Sequence, residues 1–115
     1  MALDIEKELK IYWICFIIVM LIGGVLYLVF TDHFIVGGTH IAQGIVMIRL
    51  YKNIDNWEKI ENWVLFNIIM NILIVIVDII WIITYIEPIG NVLLSLIINI
   101  FLAVLGIHIW IQKRK

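Results

Sequence analysis

The segment from Trp63 to Tyr85, WVLFNIIMNILIVIVDIIWIITY, decides the fold of this chain. At about 1.5 Å of rise per residue it forms a helix about 33 Å long, which matches a hydrocarbon core about 30 Å thick. The segment is apolar except for a few polar residues, of which Asp78 is ionisable. An aspartate near the centre of a membrane helix costs about 2.5 to 3.5 kcal/mol, so it faces protein or a wet cavity rather than lipid. The segment therefore predicts a membrane helix that turns its carboxylate toward the interior of a bundle.

The composition of the whole chain is typical of an integral membrane protein. Of its 115 residues, 64% are hydrophobic and 15% are charged, which is far from the balance of a soluble domain. A chain of this length has room for four crossings joined by short loops. We therefore predict an all-α fold, a polytopic four-transmembrane-helix bundle, with residues 1–115 forming a single membrane domain. The net charge of −1 argues against binding to nucleic acid, which requires a basic face.

The apolar runs and the residues between them predict where the four helices begin and end. Asp4 is placed to cap the first helix. Asp55, with Glu58 three residues later, resembles a capping box that starts the third helix. The second helix is the least apolar, because it contains glycines, Thr39 and His40. The predicted helices cover residues about 5–30, 34–51, 56–85 and 89–111.

The two shortest connections also have typical turn chemistry. Thr31 and Asp32 stand between the first and second apolar runs, where either can cap the second helix. Pro88 stands near the first position of the fourth helix, where its missing N–H costs little. Short turns of this kind predict that consecutive helices are antiparallel neighbours.

The distribution of basic residues predicts the orientation in the membrane. The eight Lys and Arg residues fall into three groups: Lys7 and Lys10; Arg49, Lys52 and Lys59; Lys113, Arg114 and Lys115. If all four helices cross, the three groups lie on one side, and the other two loops contain no Lys or Arg. This is the positive-inside pattern, so we predict a plasma (inner) membrane protein with both termini in the cytoplasm.

Polar residues of three helices predict a binding site inside the bundle. We expect six of them to form it: Asp78, His40, Ser95, Gln43, Asn99 and Asn71. The first three lie about 9 to 10 Å below the same membrane interface, Gln43 and Asn99 lie a turn deeper, and Asn71 lies deeper still. His40 and Asp78 are expected to form a hydrogen-bonded pair in a cavity reached from outside. Such a pair can exchange a proton near neutral pH.

These observations favour a protein that binds or transports a small solute, ion or proton. The first alternative is a non-catalytic subunit or assembly factor of a larger membrane complex, in which the polar residues contact the helices of a partner protein. A membrane-embedded lipid-modifying enzyme comes third, since the chain lacks the sequence motifs of common catalytic sites. In size and helix number the chain resembles small multidrug transporters, but it lacks a carboxylate between Ile11 and Phe30 where that family has its essential one.

Expectations about cofactors and partners rest on few residues. We expect no cofactor, with haem or a metal shared by His40 and its symmetry mate in a dimer as the remaining option. Gly38 and Ala42 form a small-xxx-small pair on the helix face opposite His40. This pair predicts self-association, as in a homodimer, or contact with a membrane partner. The lipid bilayer itself is the other expected partner.

Overall fold

A computed structural model describes residues 4–30, 33–84 and 89–114 of the chain, and all of its regular elements there are helical. The all-α prediction, with four long helices, is confirmed. The helices are α1 (Ile5–Phe30), α2 (Phe34–Leu50), α3 (Trp57–Thr84) and α4 (Ile89–Arg114), and a 3₁₀ turn (Tyr51–Asn53) follows α2. The predicted caps Thr31 and Asp32, the predicted end of the third helix at residue 85, and Pro88 lie outside the described residues.

The helix ends show which capping predictions were correct. The Glu6 N–H donates to Asp4 Oδ1 at 3.1 Å, so Asp4 caps α1 as predicted. The predicted cap of α3 was wrong by one residue, because α3 begins at Trp57 and Asn56 precedes it. Asp55 is instead paired with a cation, since its Oδ1 lies 3.4 Å from Lys10 Nζ.

The fourth helix continues past its predicted end at residue 111. It reaches Arg114, whose guanidinium carbon lies 4.5 Å from the centre of the Trp110 ring. This cation–π contact holds the last turn in helical geometry. Basic residues in a last turn also interact favourably with the helix dipole, which explains why the helix does not end at the basic run.

All four helices are long and apolar enough to cross a membrane. Their most apolar windows have mean hydropathies from 1.2, in Phe34–Asn53, to 2.7, in Ile5–Phe30. Most of each helix surface is not buried by the rest of the chain, and large apolar side chains such as Phe30 and Ile35 are 77% and 86% exposed. Apolar surface of this extent suits contact with lipid chains. We therefore treat the chain as a multi-pass membrane protein.

The helices form two compact units, Met1–Ile60 and Glu61–Lys115, which divide in the first turn of α3. We call α1 and α2 the first hairpin and α3 and α4 the second hairpin, and we describe each by itself. The expectation of one membrane domain stays a prediction.

Glycines bring the two helices of the first hairpin into backbone contact. A Cβ atom on Gly24 would lie 2.8 Å from the Gly37 carbonyl oxygen, and one on Gly37 would lie 2.9 Å from the Gly24 oxygen. Two turns further along α2, a Cβ on Gly44 would lie 2.7 Å from Leu21 Cδ2. At Gly24 and Gly37 the atoms met are backbone oxygens that cannot move aside, so only glycine fits there, whereas at Gly44 the Leu21 side chain would have to shift. Gly37 and Gly44 therefore lie on the face of α2 that packs against α1.

A hydrogen bond from α1 to the backbone of α2 completes the first hairpin. Trp13 Nε1 donates to the Met47 carbonyl at 2.8 Å, and both side chains are fully buried. Because Trp13 lies before Gly24 while Met47 lies after Gly37, the two helices run antiparallel. The helices of the second hairpin, α3 and α4, are also antiparallel, since Asn71 contacts Asn99 and Asp78 contacts Ser95.

Candidate functional site

Four polar side chains of the second hairpin form one hydrogen-bonded group, which we call the polar seam: Asn71, Asp78, Ser95 and Asn99. Two lie seven residues apart on α3 and two lie four apart on α4, so each pair shares one face of its helix. The exposed fractions of Asn71, Asp78 and Asn99 are 0%, 1% and 4%. The structure thus brings four of the six predicted site residues together, while their role in binding stays a prediction.

The hydrogen bonds of the polar seam all run toward Asp78. Asn71 Nδ2 donates to Asn99 Oδ1 at 2.7 Å. Asn99 Nδ2 donates to the Ser95 carbonyl oxygen at 2.8 Å and lies 3.3 Å from Ser95 Oγ. Ser95 Oγ in turn donates to Asp78 Oδ2 at 2.8 Å. Asn71 therefore meets Asn99 across the hairpin, although the sequence placed it at a deeper level.

The carboxyl of Asp78 has no cationic side chain near it within the second hairpin. The basic residue of α3 is Lys59, 19 residues before Asp78 and about 28 Å away along the helix. On α4 the first basic side chain after Ser95 is His108, about 20 Å further along the axis. In the described part of this hairpin, the neighbour of the carboxyl is therefore a neutral hydroxyl.

One atom of the polar seam lacks a partner. Asn71 Oδ1 is buried and accepts no hydrogen bond from any described residue. A buried amide oxygen without a donor loses about 1 to 3 kcal/mol relative to its hydrated state. The end of the polar seam remote from Asp78 therefore has an unsatisfied hydrogen-bond acceptor, Asn71 Oδ1.

His40, in the first hairpin, is held by its own helix and by an aromatic ring. Its Nδ1 lies 2.7 Å from the Val36 carbonyl oxygen. Because a carbonyl oxygen only accepts, Nδ1 carries the proton of this contact, and Nε2 of the neutral ring keeps its lone pair. The Tyr27 ring lies 5.5 Å from the His40 ring and 6.2 Å from the His33 ring, between centroids. The imidazole is 8% exposed.

Two of the six predicted residues, His40 and Gln43, belong to the first hairpin. Both lie on the buried face of α2, with exposed fractions of 8% each. The expected pairing of His40 with Asp78 would join the two units, and it stays a prediction.

Sequence reasoning missed several side chains near these groups. Tyr27 was not among the predicted site residues, but its ring contacts both His33 and His40. Tyr12 is fully buried in α1, and its hydroxyl has no hydrogen-bond partner among the described residues.

The histidines and carboxylates do not gather into a metal centre in the described ranges 4–30, 33–84 and 89–114. No group there contains three or more His, Cys, Asp or Glu side chains arranged around one point. Within a single chain, His40 provides one possible metal ligand, its Nε2 atom. A haem or metal shared with a second copy through His40 stays a prediction.

Comparisons with known proteins leave the site to be interpreted from its own chemistry. No protein-family model, no curated protein and no solved structure matches this chain.

Proposed function

We propose that this protein binds a proton or a small solute at Asp78 and carries it across the membrane. The proposed site opens to the outer side and uses the four residues of the polar seam, Asp78, Ser95, Asn99 and Asn71; a part for His40 and Gln43 stays a prediction. Asp78 binds the charge, and Ser95 orients its carboxylate by donating to Oδ2. The other amides fix the position of Ser95 and line the path.

The observation that supports this proposal is a buried carboxyl with no cation near it in its hairpin. Asp78 is 1% exposed, and Ser95 is its hydrogen-bond donor. A carboxylate that cannot be neutralised is costly inside a membrane, by about 2.5 to 3.5 kcal/mol on insertion scales. In the proposed function, this charge is cancelled by a bound proton or a bound positive ligand. A group that must take up and release such a charge is what a transporter needs.

The proposed location and orientation follow from the charge pattern. We place the protein in the plasma (inner) membrane with both termini in the cytoplasm. The basic groups flank the start of α1, the connection from α2 to α3, and the end of α4. The turns that precede α2 and α4 contain no Lys or Arg. Positive residues concentrate in cytoplasmic loops, which supports this orientation.

A second candidate function is that of a subunit that assembles through α2. A Cβ atom added to Gly38 would have nothing within 4 Å, and Ala42 on the same face is exposed. Small residues spaced in this way allow two membrane helices to approach closely. We propose this face as the contact with a second copy or with a membrane partner. It is compatible with transport, because it uses the face of α2 opposite His40.

Proton flux in liposomes tests the proposed function. Purified protein is reconstituted around a pH-sensitive dye, and acid is added outside. We expect the wild type to acidify the interior faster than empty liposomes do. Asp78→Asn, which keeps the shape and an acceptor for Ser95 but removes the titratable group, should behave like empty liposomes.

Asp55→Asn is the matched control. It removes one carboxylate from the same chain, but the Asp55 side chain is 78% exposed and lies outside the helices. We expect its flux to equal that of the wild type. Flux that survives in Asp78→Asn would overturn the role of Asp78. If liposomes with the wild-type protein acidify no faster than empty liposomes, the subunit function is the better explanation.

A further inference from the structure

The last part of α4 presents a stripe of exposed side chains that changes from apolar to basic toward the helix end. Val104, Ile107 and Ile111 are exposed. They share a helix face with Arg114, since the four residues lie within about 80° of one another at 100° per residue. From Val104 to Arg114 the helix rises about 15 Å, which is half the thickness of a hydrocarbon core. This lipid stripe, as we call the four residues, therefore has the length and the polarity of a phospholipid in one leaflet.

The guanidinium of Arg114 lies over an aromatic ring. Its central carbon is 4.5 Å from the centre of the Trp110 ring, and the Arg114 side chain is nevertheless exposed. A guanidinium that rests on a ring keeps N–H groups at its edge, where they can bind a phosphate through two hydrogen bonds. Tryptophan is enriched at the level of the lipid headgroups, so this contact suits the depth at which lipid phosphates lie.

The end of α4 also differs from the other basic groups in the charges around it. Residues 88–115 contain no Asp or Glu, and Lys113 adds a second basic side chain to the last turn. The other two basic groups are accompanied by acidic residues: Asp4, Glu6 and Glu8 in the first, and Asp55, Glu58 and Glu61 in the second. The dipole of α4 contributes only about half a negative charge at this end. The end of α4 is therefore positive and favours an anionic partner.

We propose that the lipid stripe binds an anionic phospholipid, with the lipid phosphate at Arg114 and an acyl chain along the three apolar residues. In the proposed orientation the end of α4 lies at the cytoplasmic leaflet, where anionic lipids attract basic residues near the surface. A zwitterionic lipid offers the same chains and a phosphate, but its own cation cancels the charge that Arg114 would meet. The site does not involve Asp78, so the inference goes beyond the proposed transport function.

Lipid binding to the purified full chain tests this preference. The protein in detergent is mixed with equal amounts of phosphatidylglycerol and phosphatidylcholine that have the same acyl chains, and native mass spectrometry counts the lipids that stay bound. We expect phosphatidylglycerol to be retained about fivefold more than phosphatidylcholine, the ratio that corresponds to one basic residue at an anionic surface. Equal retention of the two lipids, or a protein dimer that retains neither, would overturn the proposal.

Inorganic phosphate separates recognition of a lipid from recognition of a phosphate group. Sodium phosphate has no acyl chain, so it should displace no more phosphatidylglycerol than sodium chloride of the same ionic strength does. Displacement by phosphate alone would mean that the apolar residues of the lipid stripe take no part, and the assignment to a lipid would be wrong.

Two arginines provide a matched pair of variants. Arg114 and Arg49 are both exposed and lie in the last turns of α4 and α2, but only Arg114 belongs to the lipid stripe. Arg114→Gln should abolish the fivefold preference and Arg49→Gln should keep it, although each removes one positive charge. Thermal unfolding checks that both variants are folded. Equal losses in the two would mean that net charge, rather than a site on α4, governs lipid binding.

A variant of the polar seam separates this inference from the proposed function. Asp78→Asn should retain phosphatidylglycerol as the wild type does, whatever it does to proton flux. If Asp78→Asn loses the lipid preference while it stays folded, the site does not lie on the lipid stripe alone and the proposal is wrong.

Discussion

The two hairpins of this protein hold their helices together in different ways. In the first, Gly24 and Gly37 let the backbones of α1 and α2 touch, and added Cβ atoms would collide with backbone oxygens. In the second, side chains hydrogen-bond between α3 and α4, through Asn71 with Asn99 and through Ser95 with Asp78. Lipid chains are as apolar as leucine, so membrane helices associate through close packing or through polar contacts. In this chain, close packing at glycines joins the helices of the first hairpin, and polar contacts join those of the second.

The difference has a functional consequence. A glycine contact depends on shape, and neither a proton nor a solute can alter it. A seam that ends in a carboxyl depends on the protonation state of that carboxyl and on the donors around it. Under the proposed function, the carboxyl of the second hairpin is the group that takes up the ligand, whereas the glycine contact of the first hairpin does not change with it.

The largest effect is expected when a side chain is added to the glycine contact. In Gly37→Ala the new Cβ would lie 2.9 Å from the Gly24 oxygen, which is backbone and cannot rotate away. We expect the free energy of unfolding to fall by about 1 to 3 kcal/mol, as is usual for overpacked cores. Unfolding in detergent, followed by circular dichroism during a denaturant titration, measures this change.

The neighbouring glycine provides the control for this variant. A Cβ on Gly38 would have nothing within 4 Å. Because alanine favours helix over glycine by up to about 1 kcal/mol, Gly38→Ala should leave stability unchanged or raise it. If the two variants lose the same stability, the first hairpin is not held by close packing at Gly37.

A smaller effect is expected from the coupling between the two asparagines. In a double-mutant cycle of Asn71→Ala and Asn99→Ala, we expect a coupling free energy of about 0.6 kcal/mol, the average for interhelical hydrogen bonds in membranes. The control cycle pairs Asn71→Ala with Thr84→Ala. Thr84 is exposed and bonds to its own helix at Ile80, so it should show no coupling with Asn71. A coupling of zero between the asparagines would mean that polar contacts do not hold the second hairpin together.

The sequence predicted the second hairpin better than the first. Asp78 and Ser95 were assigned to one depth by counting residues from the short turn between their helices, and they are hydrogen-bonded in the structure. This reasoning succeeds because a short turn fixes the register of two antiparallel helices. Helical phase then identifies the shared face, since Asn71 and Asp78 are seven residues apart and occupy one side of α3. The same counting placed Asn71 below Asn99, because it ignores the reach of side chains across a hairpin.

The contacts of the first hairpin could not be derived in the same way. The sequence contains two glycine pairs, at residues 23–24 and 37–38, and only one glycine of each pair lies in the close contact. The rotation of each helix about its axis decides which one, and composition does not specify that rotation. The ring contacts of Tyr27 with His33 and His40 depend on the same rotation. The predicted pairing of His40 with Asp78 requires the packing of one hairpin on the other, which no periodicity determines.

The smallest effect is expected from the ion pair that links α1 to the turn after α2. Lys10 Nζ lies 3.4 Å from Asp55 Oδ1, but the two side chains are 44% and 78% exposed. Exposed pairs of this kind contribute about 0.2 to 1 kcal/mol and are screened by salt, because the Debye length falls to about 3 Å at 1 M. We expect Asp55→Asn to lower the free energy of unfolding slightly at low salt and not at all at high salt, measured by the same denaturant titration. A loss as large as that of Gly37→Ala, or one that persists at high salt, would mean that charge rather than shape holds the first hairpin, and the contrast between the hairpins would fail.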